Sequence, residues 1–183
     1  MARIVIAPDS FKGSLSATAV ADAIAEGWSE ARPGDDLVLL PMADGGEGTL
    51  DAIASATNQA IWHRTTVTGP DGRQVDASWL MLPDAVAVLE LAQTSALPQM
   101  RTLDPRGATT RGLGELLSVA LDAGAQSVLI GLGGSATTDA GIGALEALGA
   151  RVSRANSGQG VIGVTAIDDR TLRRPPRGDL RLL

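Results

Sequence analysis

Over the first sixty positions, apolar and polar residues follow each other in an order that predicts strand, helix, strand, helix. RIVIAPD is short, rich in β-branched residues and typical of a buried strand. A helix capped by Ser14 or Ser16 should follow and end at a Pro-Gly pair. DLVLLPMAD predicts a second buried strand, and GGEGTLDAIASA opens a second helix. This order predicts a parallel sheet with helices on its faces. The apolar face of the first helix comprises Ala17, Val20, Ala21, Ile24 and Trp28.

The pattern changes near residue 60. Two alternating runs flank a Pro-Asp-Gly turn at residues 70–72 and predict a β-hairpin. AVAVLEL and SVLIGLGG predict two further strands, separated by a helix over 109–124 with a leucine-rich face. The next helix is expected to begin at a cap on Thr138 or Asp139, and the final LRLL to begin another strand. We interpret the change as a domain boundary or an insertion into the first sheet.

Composition and charge narrow the class of protein. The chain has 183 residues, 44% apolar and 20% charged, so it can bury a sizeable core. A net charge of -6 argues against a basic face for nucleic acid. Without cysteine there is no disulfide, no thiolate nucleophile and no Cys-based metal site. No apolar run is long enough to cross a membrane, so we expect a cytoplasmic protein without a membrane partner.

Three loops follow predicted strands, where open α/β sheets bind ligands. Loop 1 (residues 9–14) carries Asp9, Ser10 and Lys12, and Lys12 is the single lysine beside fourteen arginines. Lysine offers a compact point charge on a flexible stem. The amides of a loop that opens a helix also favour an anion. Loop 1 is therefore a candidate phosphate-binding loop, although a solvated lysine and a capping aspartate would explain it too.

Loop 2 (residues 44–49) carries two acids among three glycines. Adjacent glycines let a backbone approach a ligand closely. Asp44 and Glu47 supply hard oxygen atoms of the kind that Mg²⁺ prefers. Loop 2 is therefore a candidate magnesium site, with a plain turn as the alternative.

Loop 3 (residues 131–139) has the loose pattern G-x-G-x-x-A between a strand and a helix. A dinucleotide-binding fold would place an acid about twenty residues further on, where this chain has Arg151 and Arg154. The loop is not a Walker A motif either, because no Gly-Lys-Ser/Thr follows. Its amides and hydroxyls suit a phosphate or a polar small ligand. The single histidine, His63, is expected to be a half-exposed strand residue, which leaves no Ser-His-Asp arrangement.

Together these segments resemble the bacterial-type glycerate kinase family, in order and in register from residue 3 to about residue 150. The matching segments are APDSFKGSLSA, LPMADGGEGT, ATTRGLGELLSVALDAG and VLIGLGGSATTDAGIGALEALGA. The resemblance implies ATP- and Mg²⁺-dependent phosphorylation of D-glycerate, at the 2-hydroxyl. It also implies a Rossmann- or flavodoxin-like parallel sheet with a second α/β domain inserted, both incomplete here. The corresponding domains are 1–60, the N-terminal part of the first, and 61–183, the first part of the inserted one.

The resemblance assigns roles by position, as hypotheses. Lys12 would hold phosphate oxygens, and Asp44 or Glu47 would hold Mg²⁺. Asp9 or Asp139 would accept the proton of the glycerate hydroxyl. The remaining candidates would bind substrate or nucleotide. The sequence does not decide which loop holds ATP and which holds glycerate. These binding candidates are Ser10, Gly45, Gly46, Thr49, Arg111, Gly133, Gly134, Ser135 and Thr137.

Two departures from the family pattern matter. Where the family usually has Asn-Asp-Gly-Gly, this chain has Thr138, Asp139, Ala140 and Gly141, and alanine does not adopt positive φ cheaply. Family members are also considerably longer. An alternative is therefore a catalytically inactive fragment that needs a complementing C-terminal half or associates with itself. A galactokinase-like kinase, whose phosphate loop resembles GLGGSA, is a weaker alternative because that class lacks the sequences of loops 1 and 2.

Overall fold

The computed structural model describes residues 1–11, 13–155 and 160–183, and over these ranges it is a mixed α/β structure with three sheets. The strands are β1 (Arg3–Ile6), β2 (Asp36–Leu39), β3 (Ile61–Thr68), β4 (Gln74–Leu82), β5 (Val86–Glu90), β6 (Ser127–Gly131), β7 (Arg151–Arg154), β8 (Val164–Asp168) and β9 (Leu180–Leu182). The α-helices are α1 (Ala17–Ala31), α2 (Thr49–Ala56), α3 (Ala92–Ser95), α4 (Arg111–Asp122) and α5 (Ile142–Ala147). The predicted α/β class is confirmed.

The largest sheet has five strands in the order β3-β4-β5-β6-β9. Strands β3, β4 and β5 are antiparallel neighbours, whereas β5, β6 and β9 run parallel. The predicted hairpin is confirmed, since Ile61 pairs with Met81 and Thr68 with Gln74. The final apolar residues form strand β9 beside β6, as expected. The carboxyl ends of β5, β6 and β9 therefore lie at one edge, where the third candidate loop leaves β6.

Both faces of this sheet carry helices because its buried strands present side chains alternately to either side. On one face, Trp79 and Leu89 pack with Leu116 and Leu117 of α4. On the other face, Leu50 of α2 packs against buried residues of β4 and β5. The predicted leucine-rich face of α4 is therefore confirmed, with Leu113, Leu116, Leu117 and Ala120 buried.

Strands β1 and β2 form a separate two-stranded parallel sheet. The sequence pattern predicted that both would be buried, and this prediction is wrong. Val5 is 56% exposed and Leu39 is 36% exposed. Helix α1, capped by Ser16 through a 3.2 Å bond from the Ala19 amide, packs on the sheet with only part of its apolar face. A two-stranded sheet with one helix leaves strand side chains in solvent, whatever their hydropathy.

One further prediction differs from the structure, and one pair of strands was missed. The helix expected to start at Thr138 or Asp139 begins at Ile142, because Gly141 is the N-cap with φ of 77°. The antiparallel pair β7–β8 was not predicted from the sequence. The domain boundary at residue 60 stays a prediction, and α2 packs against the five-stranded sheet although it precedes that position. No helix in the described ranges is both long and apolar enough to cross a membrane.

Candidate active site

Loops 1 and 2 run side by side because they continue the parallel pairing of β1 and β2. The Leu40 amide donates to Ile6 O at 2.8 Å, and the Met42 amide donates to Pro8 O at 2.9 Å. Beyond this point the two loops separate and line an open cavity of about 460 Å³. Its lining is rich in hydroxyls and acids, including Ser10, Ser14, Ser16, Glu47, Asp51 and Gln93.

Two helices begin at this cavity. Ser16, Ala17 and Thr18 at the start of α1 line it, and so do Gly48 and Asp51 at the start of α2. The unpaired amides and the partial positive charge of a helix N-terminus favour an anion. Two such termini around one polar cavity make it well suited to phosphate oxygens. Lys12, predicted for the same role, lies outside the described residues.

The two acids of loop 2 are exposed. One carboxylate oxygen of Asp44 accepts a 3.1 Å bond from the Gly46 amide, and Glu47 lines the polar cavity. Within residues 1–11, 13–155 and 160–183, no three His, Asp or Glu side chains are close enough to hold a metal ion by themselves. Mg²⁺ commonly uses only one or two carboxylates and completes its coordination with water and substrate phosphates. The two exposed carboxylates therefore fit Mg²⁺ that arrives with a nucleotide.

Loops 2 and 3 touch through their backbones. The Gly133 amide donates to Gly45 O at 2.9 Å. A Cβ on Gly133 would lie 2.6 Å from the Gly46 amide nitrogen, and one on Gly45 would lie 2.6 Å from Leu183 O. Gly133 must therefore be glycine for the two loops to touch, and Leu183 leaves no room for a side chain at Gly45. A Cβ on Gly46 would lie 3.6 Å from the Cα atom of Gly133, so Gly46 contributes its backbone rather than its lack of a side chain.

The rest of loop 3 is polar and accessible. Ser135 is exposed, and its hydroxyl lies 2.8 Å from that of the half-buried Thr137. Gly134, the other predicted loop 3 residue, is exposed with φ of 75°. The Ala136 amide donates to Ser95 O at 2.8 Å, which ties the loop to the segment after β5. Loop 3 can thus offer hydroxyls next to loop 2, but its hydroxyls do not line the polar cavity.

Asp139 is buried and extensively hydrogen-bonded, unlike the other predicted acids, which are exposed. Its side chain is only 3% exposed. One oxygen accepts bonds from the amide and hydroxyl of Thr110, at 2.8 and 2.9 Å, and from the Gly143 amide at 3.1 Å. The other accepts from the Gly141 amide at 3.1 Å. These contacts join the starts of α4 and α5, which favours a positioning role over proton transfer.

The other predicted residues are spread over the site. Asp9 is exposed, and its carboxylate accepts a 2.6 Å bond from the Ser10 amide. Thr49 is buried and donates its hydroxyl to Gly46 O at 2.7 Å, so it shapes loop 2 from inside. Arg111, at the start of α4, pairs with Glu115 at 2.9 Å. Their binding and catalytic roles remain predictions.

Two residues near the site were missed from the sequence. Gln93 lines the polar cavity from the segment that follows β5. Glu90, the last residue of β5, is fully buried and contacts the start of α2. Their position at a strand end is the signal that could have found them, because Glu90 lies at the end of the AVAVLEL strand and Gln93 follows it closely.

A second cavity of about 520 Å³ lies between α4, α5 and β9. Its lining is dominated by leucines, including Leu113, Leu117, Leu145 and Leu182. Asp139, one of its polar lining residues, is already fully bonded. This cleft therefore offers little to a charged substrate, and the polar cavity between loops 1 and 2 is the candidate active site.

Comparison with known proteins supports the same interpretation. The sequence model of the Glycerate kinase family matches residues 4–172. The chain is 48% identical over 160 residues to the Glycerate 2-kinase of Escherichia coli (strain K12), a match that covers 86% of this chain and 42% of that protein. It is 49% identical over 154 residues to the Glycerate kinase of Bacillus subtilis (strain 168), covering 82% of this chain and 40% of that protein.

A solved structure gives the same result for the fold. A crystal structure of a candidate glycerate kinase 2 from Salmonella typhimurium LT2 superposes with a TM-score of 0.81 at 42% sequence identity. That match covers 100% of this chain and 52% of the Salmonella chain. This chain therefore spans about two fifths of the length of the curated relatives it matches, 42% and 40% in the two cases above.

Proposed function

Because this chain belongs to the glycerate kinase family, we propose that it carries the phosphate-binding part of a kinase active site. The proposed reaction is phosphorylation of D-glycerate by ATP with Mg²⁺, forming 2-phosphoglycerate. The observation that carries the proposal is the polar cavity of about 460 Å³ bounded by loops 1 and 2 and by the starts of α1 and α2. Phosphoryl transfer depends mostly on positioning and charge neutralisation, which such a cavity provides.

In this proposal the phosphates of ATP bind between loops 1 and 2. Lys12 and the first amides of α1 hold phosphate oxygens. The Thr49 and Leu50 amides of α2 are already bonded, so α2 contributes the positive end of its dipole. Asp44 and Glu47 would hold Mg²⁺, which neutralises phosphate charge when it is bound. Gly134, Ser135 and Thr137 of loop 3 bind the reactants through amides and hydroxyls, while Gly133, whose amide is bonded to Gly45 O, keeps loop 3 against loop 2.

The chemical step transfers one phosphoryl group. The 2-hydroxyl oxygen of glycerate forms a bond to the γ-phosphorus, the bond from that phosphorus to the β,γ-bridging oxygen breaks, and ADP leaves. The hydroxyl proton goes to a carboxylate. We assign this role to Asp9, which is exposed and next to the cavity-lining Ser10, rather than to Asp139, whose oxygens already accept five bonds.

The glycerate carboxylate needs a positive partner. Arg111 stays the candidate, since its guanidinium is exposed at the start of α4. Its Nε atom is already paired with Glu115. Substrate would therefore bind through the remaining guanidinium nitrogens.

A second candidate is that this chain is inactive alone and requires a complementing C-terminal half. The observation that favours it is the coverage of the relatives, 42% of the Escherichia coli protein. In that case loops 1 to 3 are intact, but the reaction also needs groups from the other half.

A coupled ADP-release assay with ATP, Mg²⁺ and D-glycerate tests both candidates. The chain is assayed alone and then with the C-terminal half of a full-length relative, and ³¹P NMR identifies the product. Turnover alone supports the first candidate, and turnover only after complementation supports the second. No turnover in either arm, in a folded preparation, contradicts the proposed activity.

A further inference from the structure

Glu90 is a carboxylic acid in an apolar place. It is the last residue of β5 and is 0% exposed. Its side chain reaches the face of the sheet that α2 covers, where Leu50, Leu80 and Val88 form a small core cluster. A leucine would pack equally well among these neighbours, and burying a carboxyl group costs free energy. Packing alone therefore does not explain why a glutamate occupies this position.

The contacts of Glu90 lead to loop 2. Its Oε2 atom accepts a 3.2 Å bond from the Leu50 amide, in the first turn of α2. Its Oε1 atom is buried and has no hydrogen-bond partner among the described residues. Burial raises the pKa of this carboxyl group. The Leu50 amide, the Gln93 side chain and the Gly48 amide act in the opposite direction without cancelling the rise in pKa, and the nearby charge of Asp51 adds to it.

Helix α2 lacks an ordinary cap. Its N-cap is Gly48, with φ of 93° and no side chain to accept a bond from the first turn. The carboxyl group of Glu90 supplies that acceptor from forty residues away. The two residues immediately before α2 are Glu47 and Gly48, and both line the polar cavity.

We propose that Glu90 is a positioning residue that fixes the start of α2 and thereby holds Glu47 and Gly48 at the phosphate cavity. The inference rests on the proposed kinase function, although its structural part can be tested without turnover. Glu90 itself does not line the cavity. It acts through the loop it anchors.

Three variants separate this role from ordinary core stability. Glu90→Gln keeps an oxygen acceptor for the Leu50 amide, whereas Glu90→Leu removes it but fills the space. Leu113→Ala is the control, because Leu113 is 7% exposed and lies in the core on the opposite face of the sheet. If Glu90→Leu does not fold, Glu90→Asp replaces it, since its shorter side chain withdraws the carboxyl group.

The first readout is amide hydrogen exchange over residues 45–52. Loss of a helix cap typically costs about 1 kcal/mol, so Glu90→Leu should speed exchange there about fivefold beyond any change elsewhere. Glu90→Gln should stay close to the wild type, and Leu113→Ala should act mainly on α4. Equal acceleration in Glu90→Leu and Leu113→Ala over residues 45–52 would overturn the anchoring role.

The second readout is the steady-state kinetics of the preparation that turns over, the chain alone or the complemented pair. Glu90→Leu should raise KM for ATP or lower kcat severalfold more than Leu113→Ala does, with Glu90→Gln restoring most of the activity. Faster loop exchange with kinetics no worse than the control would overturn the positioning role in catalysis. If no preparation turns over, the proposed function fails, while the exchange data still decide whether Glu90 anchors loop 2.

Discussion

The five-stranded sheet and the β1–β2 sheet are made of similar apolar strands, yet they are buried very differently. In β5, Ala87, Val88 and Leu89 are 0% exposed, whereas Val5 in β1 is 56% exposed. The difference lies in the helices that cover the two sheets. Among the described residues, α2 and α4 pack on opposite faces of the large sheet, whereas α1 alone packs on the small one. Most of the stability should therefore come from the large sheet, while the small sheet carries loops 1 and 2.

A core substitution in the large sheet should destabilise the chain far more than a matched substitution in the small sheet. Leu116 in α4 is 0% exposed, so Leu116→Ala should lower the free energy of unfolding by about 2–5 kcal/mol. The matched change Leu39→Ala, at a residue 36% exposed in β2, should cost less than about 1 kcal/mol. Urea unfolding of both variants measures the contrast. Similar losses in the two variants would mean that the small sheet is as important to stability as the large one.

The second prediction is that a change at Lys12 lowers turnover without changing stability. Lys12→Arg keeps the charge but changes its shape and reach, so kcat should fall about 100-fold if Lys12 holds the phosphates in the transition state. The midpoint of urea unfolding should not move. Kinetics are measured in whichever preparation turns over, with Arg32→Lys on the outer end of α1 as the matched control. Near-normal turnover in Lys12→Arg would remove Lys12 from the mechanism.

The third prediction concerns pH. Burial raises the pKa of Glu90 in the folded chain, so the unfolded chain loses this proton at a lower pH than the folded one. The stability contributed by the protonated group is fully present below the unfolded pKa and is lost as the pH rises through the folded pKa. Glu90→Gln cannot ionise and should gain stability relative to the wild type as the pH rises from about 4, near the ordinary pKa of a glutamate, through the raised folded pKa. Urea unfolding across this range checks it, and a difference that shrinks with rising pH would contradict it.

The smallest effect concerns the start of α5. Ala140 has φ of 52°, a left-handed conformation that glycine adopts more easily. Ala140→Gly should therefore stabilise the chain by about 0.5–1 kcal/mol. The reverse change at the next residue, Gly141→Ala, is the control and should destabilise it, since Gly141 has φ of 77°. Thermal unfolding measures both, and a loss of stability in Ala140→Gly would show that Ala140 carries no strain.

Sequence patterns predicted what depends on neighbours along the chain. The turn at residues 70–72, the Ser16 cap and the leucine face of α4 are local signals, and all three are confirmed. Loops 1 to 3 were found because they directly follow strands. The family resemblance, now confirmed by the match over residues 4–172, added the kinase hypothesis.

What sequence patterns missed depends on contacts far apart in the chain. The exposure of Val5 reflects what packs on a sheet rather than its own hydropathy. Asp139 was a catalytic candidate beside Asp9, and no local pattern indicates that Thr110 and Gly143 donate to its oxygens. Glu90 was overlooked because its partner, the Leu50 amide, lies forty residues away.

Amide hydrogen exchange with saturating ATP and Mg²⁺ measures whether phosphates bind between loops 1 and 2. If they do, exchange should slow in residues 10–18 and 45–52 and stay unchanged in the β7–β8 pair. A Glu47→Gln variant should weaken this protection, because it removes one proposed metal ligand. Protection confined to the apolar cleft between α4, α5 and β9, or no protection at saturating nucleotide, would contradict the account.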